Sequence, residues 1–173
     1  MKYTLKTLSI LFSYPGEELY ELASNIDALY ELLSSEDKEA ARLIREFLEG
    51  VDIDKIDEVY VSIFEMPAKC SLYSHTYIVK EKEGELGRFL LEIKGHYKVK
   101  GYDIQVTKEI PDYLPAMLEF LSIIIDTDPR AASKFARRYV KPMVRELTRC
   151  IERNNRTYLP LAKALSIVID RVT

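Results

Sequence analysis

Three carboxylates and two aromatic rings crowd one short stretch, Glu109-Ile110-Pro111-Asp112-Tyr113-Leu114-Pro115 followed by Leu118-Glu119-Phe120-Leu121. Two chemistries fit it. In one, the stretch is a helix start: Asp112 accepts hydrogen bonds from free backbone N–H groups, and Pro115 falls in the first turn, where its missing N–H does no harm. In the other, Glu109, Asp112 and Glu119 ring the mouth of a very apolar helix beside Tyr113 and Phe120. An acidic rim on an aromatic and aliphatic groove is what a basic, amphipathic peptide needs. The residue types alone favour the cap, which explains Asp112 and Pro115 but leaves the gathering of acids beside rings unaccounted for.

Other chemistries find less support. The glycines form neither a P-loop nor a GxGxxG pattern, and no GxSxG elbow occurs. His75 and His96 are the only side chains with an ordinary neutral-pH proton switch. His75 lies near Cys70, but two ligands without a third at fixed spacing make a poor metal site. A surface or hydrogen-bonding role suits His75 better. The two cysteines, Cys70 and Cys150, are too far apart in sequence to form a CxxC or a zinc motif. Each reads as a small buried hydrophobe, with no disulfide framework and a reducing compartment. The expectation is no catalytic residue, no metal and no cofactor.

The elements that position these residues are helical. Leu5, Leu8, Leu11 and Phe12 recur at helical spacing in a first helix over Tyr3–Tyr14, ended by Pro15-Gly16. A second runs from Glu17 toward Leu33, and a third over Glu36–Glu49, capped by Ser34 or Ser35. A fourth covers Ile53–Glu65 and puts Tyr60 and Phe64 on one face. Residues 68–83 stay open between loop, short helix and strand, with 80–84 an exposed turn. A fifth helix spans Glu85–Lys98, and 96–106 could instead imitate a hairpin around Gly101. The sixth, Pro111–Ile125, is apolar nearly all round, as for a central helix of a bundle. Asp128-Pro129 starts a seventh that runs to Asn154 and must kink or split at Pro142. An eighth covers Tyr158–Val172. The fold class expected is all-α, a single-domain bundle of about eight helices over residues 1–173.

Composition agrees with a folded domain. The 173 residues are 47% hydrophobic and 31% charged. A net charge of -3, from 28 acids against 25 bases, argues against nucleic acid as a partner. The apolar run near the N-terminus is interrupted by Ser9, Ser13 and Tyr14, unlike a secretory signal. The apolar stretches are too short to cross a bilayer, so the expected location is the cytoplasm, without membrane insertion.

The central stretch resembles the E-x-P-D-x-L-P-x-x-L-E-F-L signature of the nitrate reductase delta-subunit chaperones. It is similar also to the P-D-H-type loop of the related TorD and DmsD chaperones. Further matches follow in order: Leu11-Phe12-Ser13-Tyr14-Pro15 to an L-L-x-Y-P start, and Tyr60-Val61-Ser62-Ile63-Phe64 to a Y-V-x-x-F helix. Ser71-Leu72-Tyr73 resembles an S-L-x-L segment, and Arg138-Tyr139-Val140-Lys141-Pro142 a later helix with an internal proline. The resemblance covers residues 8 to about 147. It implies a TorD-like all-α chaperone, not an enzyme, that binds the N-terminal segment, often a twin-arginine leader, of a molybdoenzyme catalytic subunit until its cofactors are in place. Tyr113 stands where TorD and DmsD have His, Trp is absent, and Ser74-His75 replaces the E-H after the S-L-x-L segment. These departures bear on which client is bound.

The expected peptide site therefore joins Tyr60, Phe64, Tyr73, Pro111, Tyr113, Leu114 and Phe120 as apolar contacts to Glu109, Asp112 and Glu119 as partners for client arginines. Asp112→Ala is then expected to weaken peptide binding and leave folding nearly intact. The rival assignment is a permanent structural or adaptor subunit of a redox complex, which would show a broad apolar face. A monomer and a domain-swapped dimer are both compatible with the sequence.

Overall fold

The structure is a computed structural model and describes residues 1–65, 67–79, 84–102 and 109–173. Among the described residues, eleven α-helical segments carry it. Helix α1 (Lys2–Phe12) buries Leu5, Leu8, Leu11 and Phe12 completely. It lies along α8 (Leu114–Ile124), whose Leu114, Met117, Leu118 and Leu121 are equally buried. Helix α4 (Lys38–Gly50) and α10 (Lys141–Asn154) both pack on α11 (Leu159–Val172). Each fully buried leucine contributes about 2 kcal/mol, so these four- and five-residue apolar stripes dominate the energetics. Among the described residues the only β pairing is a single antiparallel bridge, Tyr73 to Tyr113. The all-α expectation holds.

Where the segments differ from the sequence reading, side chains explain it. The second helix divides into α2 (Glu17–Ser24) and α3 (Ile26–Ser34). Ser24 and Asn25 turn their side chains onto the carbonyls of Tyr20 and Glu21, competing with helix continuation at that point. The cap of α4 is Asp37, not Ser34 or Ser35: its Oδ1 accepts from the N–H groups of Glu39 at 3.1 Å and Ala40 at 3.0 Å. The fourth helix starts as a 3-10 turn, Ile53–Lys55, and continues as α5 (Ile56–Phe64). Beyond it a one-turn helix α6 (His75–Ile78) follows the bridge, which resolves most of the open 68–83 region. The exposed turn expected at 80–84 lies outside the described residues except for Gly84.

Helix α7 (Glu85–Val99) closes on Gly101, whose φ of 70° suits a residue without Cβ. Gly101 N–H donates to Lys98 O and Tyr102 N–H to Tyr97 O, a Schellman closure. The hairpin alternative therefore gives way to helix over 96–99, and residues 103–106 fall outside the described residues. The seventh helix splits as expected: α9 (Pro129–Phe135), one π turn (Ala136–Val140), then α10 with Pro142 in its first turn. A π turn just before a proline spares the carbonyl that the missing N–H would have served. Asp128 caps α9 as expected, accepting from Ala131 N–H at 3.0 Å.

The cysteines overturn their reading. Cys70 and Cys150, 80 positions apart, form a disulfide with Cα atoms 5.7 Å apart. Spacing along the chain could not show this, because packing of the α5–α6 segment on α10 brings them together.

Candidate peptide-binding site

The bridge between Tyr73 and Tyr113 organises the site. Ser74 N–H donates to Asp112 O at 3.0 Å and Leu114 N–H to Leu72 O at 2.8 Å, locking the segment before α6 to the segment before α8. Two rings consequently stand side by side, with centroids 5.3 Å apart, both partly exposed. Tyr113 Oη lies 3.0 Å from Tyr60 Oη, which ties α5 to the same patch. Tyr60 in turn carries the ring of Tyr14 at 5.6 Å, edge to face, and Tyr14 is 55% exposed. Tyr73 Oη donates to Glu109 Oε2 at 2.8 Å, and Glu109 and Ile110 are exposed beside it. The outcome is a tyrosine-lined surface patch, the tyrosine mouth, between the end of α1, α5 and the start of α8, with Glu109 and Glu65 as its acids. Burial holds the Tyr60 and Tyr73 hydroxyls well above the ordinary phenol range, helped by Tyr113 and by Glu109 respectively. They stay protonated and donate.

The other expected site residues lie deeper or elsewhere. Asp112 is wholly buried and does not cap α8, whose first residue is Leu114. Its Oδ2 accepts from His75 N–H at 2.6 Å and sits 2.7 Å from His75 Nδ1, while Oδ1 has no partner among the described residues. Asp112 thus fastens α6 to the mouth from behind. Pro111 O accepts from Tyr97 Oη at 2.7 Å, and Pro115 O from Ser9 Oγ at 2.8 Å. Phe64 and Leu114 belong to the core beneath the mouth.

Glu119 is ion-paired with Lys6 and accepts from Tyr102 Oη. Burial pushes its carboxyl up, but those hydrogen bonds and the Lys6 charge outweigh it and leave the group below its ordinary value. A client cation would have to displace Lys6 to reach it. Phe120 packs on Tyr97, Tyr102 and Phe135, away from the tyrosine mouth. It floors a separate groove of about 880 Å³ between α7 and α9. Of the four lysines and arginines lining that groove, Arg138 pairs with Glu92 and Lys100 with Asp128, and Arg137 donates to the Thr173 carbonyl.

Tyr14 and His75 were not in the expected site, and neither was the disulfide. Tyr14 ends the L-F-S-Y-P run just before a proline, a hint of an exposed ring at a helix exit. Nothing in the sequence paired His75 with Asp112. Cys70, the other half of the weak metal reading, is taken by Cys150.

The fold superimposes on the crystal structure of a chain described as a redox enzyme maturation protein from Archaeoglobus fulgidus, with a TM-score of 0.70 and 24% identity, covering 98% of this chain and 94% of that one. The chain belongs to the nitrate reductase delta subunit family, whose sequence profile it matches over residues 31–161. It is 31% identical over 172 residues to the probable nitrate reductase molybdenum cofactor assembly chaperone NarJ of Bacillus subtilis, covering 98% of this chain and 89% of that protein. It is also 28% identical over 126 residues to the probable chaperone NarW of Escherichia coli, spanning 50% of that protein's length. These relatives are named as assembly chaperones rather than catalysts.

Proposed function

We propose that the chain is an assembly chaperone for a molybdenum-cofactor oxidoreductase and that its tyrosine mouth holds a basic, partly apolar segment at the N-terminus of the client catalytic subunit. Family membership and the names of the relatives support the class of client. The observation that carries the binding mode is the Tyr73–Tyr113 pair, two partly exposed rings held by backbone hydrogen bonds with Glu109 at their edge. Rings offer apolar area and faces for guanidinium groups, and a carboxylate beside them pairs with the same cation. In this arrangement Tyr14, Tyr73, Tyr113 and Ile110 touch the peptide, and Glu109 and Glu65 face its cations. Tyr60, Phe64, Pro111, Asp112 and Leu114 set the shape of the mouth from within, while Glu119 and Phe120, expected in the site from the sequence, take no part in it.

No described helix is long and apolar enough to cross a membrane. Work in the cytoplasm, on a client awaiting its cofactor and in some cases bearing a twin-arginine leader, fits this reading. The test is a fluorescence titration with a synthetic peptide that mixes arginines with Leu and Phe. Glu109→Lys and Tyr14→Ala should each weaken binding about tenfold, a loss of about 1.4 kcal/mol, with Tm little changed. Equal affinity in wild type and both variants would overturn the assignment of the mouth.

A further inference from the structure

The Cys70–Cys150 bond sits where it can control the mouth. Cys70 is buried, two residues before Leu72, whose carbonyl accepts the α8 N-terminal bond, and three before Tyr73. Cys150 stands on α10 and is partly exposed. The segment that carries the tyrosine wall is therefore held on one side by the bridge to Asp112–Leu114 and on the other by a covalent tie to α10. Its other bonds to the bundle are Lys69 and Cys70 N–H to Ile63 O, both at 2.9 Å, Ser74 Oγ to Tyr139 O at 2.8 Å, Tyr73 Oη to Glu109 Oε2 at 2.8 Å, and the His75 contacts with Asp112 Oδ2 at 2.6 and 2.7 Å. These are hydrogen bonds, which open more readily than a covalent link.

We infer that Cys70–Cys150 is a thiol–disulfide exchange site whose redox state sets the affinity of the mouth for its peptide. This rests on the peptide-binding reading above. The co-reactant is a dithiol reductant. Its thiolate attacks the more accessible Cys150 sulfur, the S–S bond breaks, and Cys70 leaves as a thiolate that takes up a proton. The second thiol of the reductant, losing its proton, attacks the mixed disulfide and closes the reductant's own ring. Cys150 leaves as a thiolate and is protonated in turn. Two electrons and two protons pass to the protein, and the dithiol is oxidised. In the dithiol form the Leu72–Tyr73 segment keeps its fold but opens more often, so binding must first order it. In the disulfide form that ordering is already done, and binding is tighter.

The experiment uses the full chain, first air-oxidised and then treated with dithiothreitol, titrated with the same arginine-rich fluorescent peptide. The expected result is at least a tenfold fall in affinity on reduction, and none in the Cys70→Ala/Cys150→Ala variant, which binds like the reduced wild type. Equal affinity in the two redox states, with binding intact, overturns the inference and leaves the peptide site standing. If neither state binds, the peptide reading fails. Amide hydrogen exchange of wild type then decides the switch: faster exchange confined to Ser74, His75 and Leu114 on reduction supports a local redox gate, whereas unchanged or uniformly faster exchange overturns it. Two free thiols per chain after treatment with oxidised glutathione overturn it outright.

Discussion

Asp112 shows how one carboxylate can be misplaced by its neighbours in sequence. Beside Pro111 and Pro115 it has the profile of a helix cap, yet its oxygens turn inward to His75. A buried carboxylate bound to a partner is costly to truncate, because the partner's donors are left without an acceptor. Asp112→Ala is therefore expected to cost on the order of 3 kcal/mol, a Tm drop of roughly 6 to 12 °C, with loss of peptide binding following from the loosened α6. Thermal denaturation beside the peptide titration checks both. A stable variant with weakened binding would instead restore the direct-contact role expected from the sequence. Glu119 supplies a pH signature. Its folded pKa lies below the ordinary 4.5, so its contribution is present above that value and is lost as pH falls through the lower, folded value. Glu119→Gln should remove that part of the acid-limb decline in Tm while leaving neutral stability close to Lys6→Met. A Tm-against-pH profile identical to wild type would show that the Lys6 pair contributes nothing.

At the scale of elements, termini decide what periodicity cannot. Apolar stripes at helical spacing made α1, α4, α8, α10 and α11 legible, because a 3.6-residue period survives any context that buries one face. Their ends were less so. Asp37, rather than a serine, caps α4, and its second oxygen faces Arg171 Nη1 of α11 at 2.8 Å. Asp37→Ala is expected to cost about 1 to 2 kcal/mol, read as a Tm fall of about 2 to 8 °C. Ser34→Ala and Ser35→Ala should leave Tm within a degree or two. The breaks at Asn25 and in the π turn were partly visible: Pro142 announced a disruption, but its form depends on how Val140 and Tyr139 pack. In the candidate site, Tyr60, Tyr73, Tyr113 and Glu109 do assemble. Phe120 and Glu119 point to other neighbours, since a helix start predicts who is near in sequence and not which face meets which partner.

For the whole molecule, the disulfide is the largest single constraint that composition hid. Closing a loop of 80 residues removes unfolded-chain entropy worth about 4.5 kcal/mol in the loop-closure treatment, and measured gains are more often about 2 to 4. Reduction should thus lower the chemical denaturation midpoint without unfolding the protein in buffer, because the α1–α8 and α4–α11 packings contain neither cysteine. Denaturant titrations with and without reductant measure this. Unfolding on reduction alone would mean that the bond holds the bundle together and does not gate one segment.

The sequence by itself determined the helical bundle and the family, since both are written in local periods and in a contiguous signature around Glu109–Leu121. Only the tertiary structure decided which of those acids are spent on His75 and Lys6, which tyrosines reach solvent, and that Cys70 meets Cys150. The reason is physical: helix formation and short motifs depend on residues a few positions apart, whereas ion pairing, exposure and cross-links depend on which helices lie side by side.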